Sequence, residues 1–287
     1  MTPPNDFNDE VVFLRNQHLI GVHGRPFLAD IALSVKGANS PAIIFSHGFK
    51  GFKDWGPFDL IAKRFALQGF HFIKYNFAFN GTTIESPYDF TDLDAFGNNN
   101  FTHELNDLDR VINFAIDELE VITPSSILLL GHSRGGGISI LKAGEDSRVK
   151  GVVTWGSVSS FNRYISLAEI RKWKEHGVIY VENARTGQNM PMYVQLYDDF
   201  FKYRSRFDLE KCVANMTTPV LLIHGTHDET VPVSHAKELL SHGNSIRLLE
   251  IQQGDHTFGG VHPMTSSNLP IQLADVVEHT ISYYQQI

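Results

Sequence analysis

The sequence predicts an α/β fold built on a mostly parallel, doubly wound sheet. Two observations lead to it. After Pro41, short continuous apolar runs recur, each bounded by Gly, Pro or polar residues, as strands buried on both faces require. Between them lie stretches with the 3.6-residue apolar period of an amphipathic helix. Strand and helix in alternation is the pattern of a parallel sheet with helices on its faces. The 287 residues are read as one domain, 1–287. A chain of that length buries about three quarters of the surface its unfolded form exposes, so its core needs no covalent staples.

Taken in order, the chain opens with strand-like alternation at Val11–Leu14 and Leu19–Val22, then Phe27–Val35 after Gly24-Arg25-Pro26. This predicts an N-terminal antiparallel hairpin. The continuous apolar runs are Ala42–Phe45, Phe70–Tyr75, Ile127–Leu130, Val149–Thr154, Val220–Ile223 and Ile246–Ile251. Helical periodicity covers Phe58–Leu67, His103–Leu119, Val233–Leu240 and Ile271–Tyr284. In the second of these the apolar face is Leu105, Leu108, Val111, Ile112, Ala115, Ile116 and Leu119. Two stretches break the rhythm. Asn76–Asn100, rich in Asn, Asp, Gly and Thr, reads as a long loop of the kind that carries function. Residues 157–215 are too long for one crossover helix and hold Trp173, Tyr180, Tyr193, Tyr197, Phe200, Phe201 and Tyr203. They predict a small inserted cap over the C-terminal edge of the sheet.

Composition excludes several classes. Apolar residues make 42% of the chain and charged residues 20%, ordinary for a globular protein. The net charge is −8 and no Lys/Arg run stands out, so nucleic acid is not an expected partner. No apolar run approaches the ~20 residues of a membrane helix, and no membrane partner is expected. Met1–Glu10 is polar and acidic and does not read as a signal segment. Cys212, the lone cysteine, allows no intrachain disulfide and reads as a packing residue; this fits a reducing, cytoplasmic setting. A homodimer is left open.

The chemistry is carried by Gly131-His132-Ser133-Arg134-Gly135-Gly136, which fits G-x-S-x-G. It follows the strand Ile127–Leu130 and precedes a helix expected over Gly136–Ala143, the context this motif requires. A serine on so sharp a turn holds its hydroxyl clear of the backbone, and small neighbours let strand and helix approach. The hydroxyl needs a base to become nucleophilic. Chain order places an acid after a later strand and a histidine after the last one. Asp228 follows Val220–Ile223, with Glu229 as fallback. His256 follows Ile246–Ile251, with His262 as the weaker alternative. Asp255 is adjacent to His256, and adjacent side chains diverge. Oxyanion donors are expected from the backbone N–H of Arg134 and of Phe49, the latter in the loop Ser46-His47-Gly48-Phe49-Lys50-Gly51. His47 is expected to brace that loop, His132 and His224 to pack or hydrogen-bond, and Lys50 and Lys53 to be solvated. His224 and His227 lack the partners of a metal site, and no metal or cofactor is expected.

At these residues the sequence resembles the α/β-hydrolase superfamily: HGF at 47–49, GHSRGG at 131–136, HGTHDETVP at 224–232 and GDHTF at 254–258. The resemblance runs from about Ala42 to the terminal helix. Its last motif and the size of the insert are similar to feruloyl and cinnamoyl esterase-like carboxylesterases, which implies an acyl-enzyme on Ser133 and a small-molecule ester substrate with an aromatic or short acyl group. HGFKGFKDWG and GHSRGG depart from that branch in detail. A more distant likeness to the catalytic domain of prolyl-oligopeptidase-like peptidases implies peptidase or amidase chemistry at the same residues. A silent binding protein on this fold is the third reading.

Overall fold

The computed structural model describes residues 11–162 and 166–287, apart from the side chain of Leu167. Residues 1–10, where no signal segment is expected, and 163–165 of the expected cap lie outside the described residues.

The elements run β1 (Phe13–Ile20), β2 (Pro26–Ala32), β3 (Ala42–Ser46), α1 (Phe58–Leu67), β4 (His71–Tyr75), α2 (Leu93–Gly97), α3 (Phe101–Asn113), β5 (Ile127–His132), α4 (Arg134–Glu145) and β6 (Val149–Trp155). They continue with α5 (Leu167–His176), β7 (Val178–Asn183), β8 (Gln188–Tyr193), α6 (Gln195–Lys202), α7 (Leu209–Asn215), β9 (Val220–Gly225), α8 (Ser234–His242), β10 (Ile246–Ile251) and α9 (Ile271–Tyr284). Among the described residues, eight strands form one sheet in the order β1-β2-β4-β3-β5-β6-β9-β10. β1, β2 and β4 pair antiparallel, and every pair from β4 to β10 is parallel. Each apolar run of the sequence is thus a strand of this sheet, and the N-terminal hairpin joins it through β4. Between β6 and β9 the hairpin β7–β8 forms a separate two-stranded sheet. This is the α/β-hydrolase fold, as the sequence predicts.

Strand alternation divides the core. Ile43, Phe45, Leu128, Leu130 and Ile223 pack with α1 and α9 on one face. Ile44, Leu129, Val152 and Leu222 pack with α3, α4 and α8 on the other. Two-sided burial is why these runs are continuous rather than alternating. Order reverses at β3, whose neighbours are β4 on one side and β5 on the other. In open α/β sheets the crevice at such a switch point, beyond the C-terminal strand ends, is where ligands bind. The loops carrying Phe49 and Ser133 leave β3 and β5 at that point.

Four departures from the sequence reading have physical causes. The helix through Leu119 ends early: Phe114–Glu118 is a π-helical turn. Its extra residue turns Ile116 out to solvent while Ala115 and Leu119 stay buried. The loop Asn76–Asn100 contains α2, because Asp92 caps it by accepting from the Ala95 N–H at 2.9 Å. Lys53 is not solvated. It is fully buried, its Nζ 2.9 Å from Asp30 and 2.7 Å from Asp54, in a cluster with Lys74, Arg15 and Asp59. Buried charge survives only when paired, and here three cations answer three carboxylates. Finally, the last residues of 157–215 form α7, which packs against α4 and α8 in the helical layer. No helix among the described residues is long and apolar enough to cross a membrane.

Candidate active site

Ser133 stands between β5 and α4 with φ 56° and ψ −121°, a left-handed conformation costly for a residue with a Cβ. The surroundings enforce it. Its N–H donates to the Trp155 carbonyl at 2.8 Å, and its carbonyl accepts from the Gly136 N–H at 3.0 Å. Glycines make the turn feasible. A Cβ on Gly131 would lie 2.3 Å from the Gly135 carbonyl oxygen, and one on Gly135 would lie 2.2 Å from that of Ser46. The strand, the helix and the neighbouring strand end touch backbone to backbone. The helix begins at Arg134, two residues before the start expected from sequence, so the Arg134 amide lies in its first turn.

The loops after β9 and β10 bring Asp228 and His256 together. His256 Nδ1 lies 2.7 Å from Asp228 Oδ2. The other oxygen, Oδ1, accepts from the N–H groups of Thr230 (3.0 Å) and Val231 (2.8 Å). Burial raises the Asp228 pKa, but hydrogen bonds from His224 and His256 and the charge of His256 outweigh it and hold the carboxyl well below the usual range. Asp228 is therefore a carboxylate that accepts the Nδ1–H of His256, so Nε2 is the ring nitrogen left to meet a hydroxyl. The two loops are locked at their bases: a Cβ on Gly225 would sit 2.2 Å from the Gly254 carbonyl oxygen.

The fallback residues stand elsewhere. Glu229 is exposed. His262 Nδ1 accepts from the Gly56 N–H at 2.8 Å. Asp255 accepts from the N–H groups of Thr257 and Gly259 and shapes its own loop.

Ser133, Arg134, His256, Phe49, His47 and Gly48 line one cavity of about 450 Å³. A hydrogen bond between Ser133 Oγ and His256 is not formed in this structure; such bonds commonly tighten only when substrate arrives. Among the described residues the Phe49 and Arg134 amides donate to no protein acceptor. Neither amide is committed to an internal hydrogen bond among these residues. His47 braces the Phe49 loop, its Nδ1 donating to the Gly48 carbonyl at 2.9 Å and its Nε2 accepting from the Phe77 N–H at 3.3 Å. Burial pushes its pKa down to about 4, so it is neutral. Lys50 is also not simply solvated: its Nζ donates to the Glu182 carbonyl of β7 at 2.9 Å.

His132 was read from the sequence as a packing or hydrogen-bonding residue, while Gly156 and Glu104 went unnoticed. His132 donates Nε2–H to the His256 carbonyl at 2.8 Å, with the rings 4.7 Å apart, and so holds the loop of the candidate base. Gly156, at φ 57°, approaches so closely that a Cβ there would lie 3.1 Å from Asp228 Oδ2 and 3.2 Å from His256 Nδ1. Its position just past β6 was the available signal. Glu104, buried on α3, accepts from Arg134 Nη1 at 3.3 Å. It shares the spacing of Leu108 and Val111, which marks it as inward-facing.

Among solved structures, the esterase domain of a Rhodothermus marinus protein matches with TM-score 0.64 and 21% identity, over 96% of this chain and 98% of that one. Est1E from Butyrivibrio proteoclasticus, solved with ferulic acid bound, matches with TM-score 0.68 and 18% identity over 94% and 98%. A puromycin-hydrolyzing peptidase from Mycobacterium tuberculosis matches with TM-score 0.68 and 16% identity over 99% of this chain and 40% of that one. These likenesses establish the fold. The uncharacterized peptidase YuxL of Bacillus subtilis (strain 168) is 25% identical over 165 residues, 56% of this chain; the match spans 23% of that protein's length. The family model of the prolyl oligopeptidase family matches residues 84–267, a span that includes Ser133, Asp228 and His256. On that match, covering well over half its length, the chain belongs to the prolyl oligopeptidase family of α/β-hydrolase-fold serine hydrolases.

Proposed function

We propose that the chain is a serine carboxylic-ester hydrolase acting through an acyl-enzyme on Ser133. The observation that supports this most is the 2.7 Å pairing of His256 Nδ1 with Asp228 on the cavity that also holds the strained Ser133 turn. In this reading His256 Nε2 takes the Ser133 proton as Oγ attacks the ester carbonyl. Asp228 orients the ring and stabilises its charged form. The amides of Phe49 and Arg134 receive the oxyanion. His256 then returns the proton to the departing alcohol, and water frees the acyl group by the same route. The aromatic cap favours acyl groups of the hydroxycinnamoyl kind or short chains.

Fluorophosphonate labelling and turnover of short aryl esters test the reading. Ser133→Ala should abolish both with the fold intact, and wild-type-like turnover in that variant would overturn it. Absence of labelling in the wild type would instead favour a silent binder.

A peptidase or amidase at the same residues is the second reading. Family membership and the likeness to the Mycobacterium tuberculosis peptidase favour it. A matched p-nitrophenyl ester and p-nitroanilide would separate the two, amide turnover at the ester's rate supporting the peptidase. A cytoplasmic setting is part of the proposal and rests on the lone, half-buried Cys212, whose thiol burial pushes up to about 11 and keeps unreactive.

A further inference from the structure

A second cavity of about 510 Å³ lies beneath the cap, bounded by Trp173, Tyr197 and Phe200. It shares Phe49, Phe101, Arg134 and Phe161 with the cavity that holds Ser133. Arg134 therefore stands where two largely apolar chambers meet. Its guanidinium lies over the Phe49 ring, 4.0 Å from the centroid, and 5.4 Å from that of Phe101. Among the described residues its side chain makes one hydrogen bond, from Nη1 to Glu104 Oε1 at 3.3 Å. A guanidinium has five N–H donors and keeps its charge at any ordinary pH. Among the described residues the remaining donors have no protein acceptor, and the side chain stays 15% exposed.

Glu104 answers that charge incompletely. Its Oε1 is shared with Asn99 Nδ2 at 2.7 Å, its Oε2 is buried with no partner among the described residues, and burial pushes its carboxyl up. Lys50, which also lines the Ser133 cavity, is held to the Glu182 carbonyl. In the far chamber Lys172 is accompanied by Glu169.

The chemistry proposed above sets the direction of the substrate. The leaving oxygen must lie beside His256, which protonates it, so the leaving group sits against Thr230, Val231 and Thr257. The acyl chain then runs the other way, past Arg134 toward the cap chamber. We propose that Arg134 is a specificity-determining residue that binds a carboxylate on the acyl chain, so that the preferred substrates are monoesters of dicarboxylic acids. This rests on the serine-hydrolase reading and adds the substrate class to it.

The test compares the p-nitrophenyl monoester of glutaric acid with p-nitrophenyl valerate, its neutral counterpart. In the wild type kcat/KM for the monoester should be higher. Arg134→Met should lower kcat/KM for the monoester about 10- to 100-fold more than kcat/KM for valerate, the worth of a charge-assisted hydrogen bond. Glu104→Gln, which frees the guanidinium, should raise the preference. Lys50→Met should leave it unchanged. Equal loss on both esters in Arg134→Met, or loss of preference in Lys50→Met instead, overturns the assignment.

Binding of monomethyl glutarate and methyl valerate to Ser133→Ala, measured by calorimetry, needs no turnover. Tighter binding of the anion that disappears with Arg134→Met supports the inference even in a chain that hydrolyses neither ester, a result that would reject only the hydrolase reading. Equal binding of the two ligands overturns the inference, and valerate hydrolysis by the wild type would then leave the hydrolase reading standing.

Discussion

At the scale of single residues, the candidate site depends on who holds whom. Asp228 is fixed by three close donors, two backbone N–H groups and His256, with His224 Nε2 farther off at 3.4 Å. Removing its charge leaves those donors poorly met. Asp228→Asn should lower kcat of the proposed hydrolysis by about 10⁴-fold, since the amide disfavours the needed imidazole tautomer, and steady-state kinetics on an aryl ester checks this. It should also destabilise the fold. Because the folded pKa is depressed, the stabilisation is complete above the unfolded value of about 4 and fades as pH falls below it. Melting curves of the variant and the wild type should therefore converge toward acid pH. Ser133→Ala should cost about 10⁴- to 10⁶-fold in kcat while leaving the melting temperature equal or higher. The G-x-S-x-G motif pointed to Ser133 and chain order to Asp228 and His256; the fold pairs the last two at 2.7 Å and sets Ser133 and His256 on one cavity, because all three positions follow strand ends. Lys53 was misread, because a lysine in a glycine-rich loop carries no local mark of burial; its partner Asp30 comes from β2.

At the scale of elements, the turn from β5 into α4 is set by backbone contact rather than by side-chain affinity. Gly135→Ala should destabilise by about 3 kcal/mol, the upper range for overpacking, because its Cβ meets the backbone of Ser46 and His47, which cannot swing away. Chemical denaturation checks the loss. α3 makes the opposite case, being held by a side chain. Asn100 caps it by accepting from the His103 N–H at 2.8 Å and donates to Gln195 Oε1 on α6 at 2.7 Å. Asn100→Ala should cost about 1 kcal/mol from the cap and also loosen the insert, read as faster amide exchange in α6 than in α8. The strands were legible because two-sided burial writes itself as continuous apolar runs. The π turn after α3 was not, because an apolar stripe of the right period is equally compatible with an unbroken helix.

At the scale of the whole molecule, buried titratable groups shape the pH dependence of stability. Burial holds His47 and His103 down to about 4 and, with the charge of His256, His132 down to about 3. Their unfolded forms take up protons first, so stability falls as pH drops below about 6.5. Burial pushes Asp107 up to about 8, reinforced by the nearby Glu104, so this group loses stability as pH rises toward 8. A stability maximum near pH 6.5 is the expected outcome of thermal melts across pH, and Asp107→Asn should shift it upward. The sequence by itself determined the layers, the strand-to-helix alternation and the order of the three polar motifs, since these follow from local periodicity and turn chemistry. Only the tertiary structure decided which donors meet which acceptors: Asp228 with His256, His132 with the His256 carbonyl, Lys53 with Asp30, Arg134 with Glu104. Each pairing joins distant positions or separate elements, so it depends on strand order and register, which no local stretch of sequence encodes.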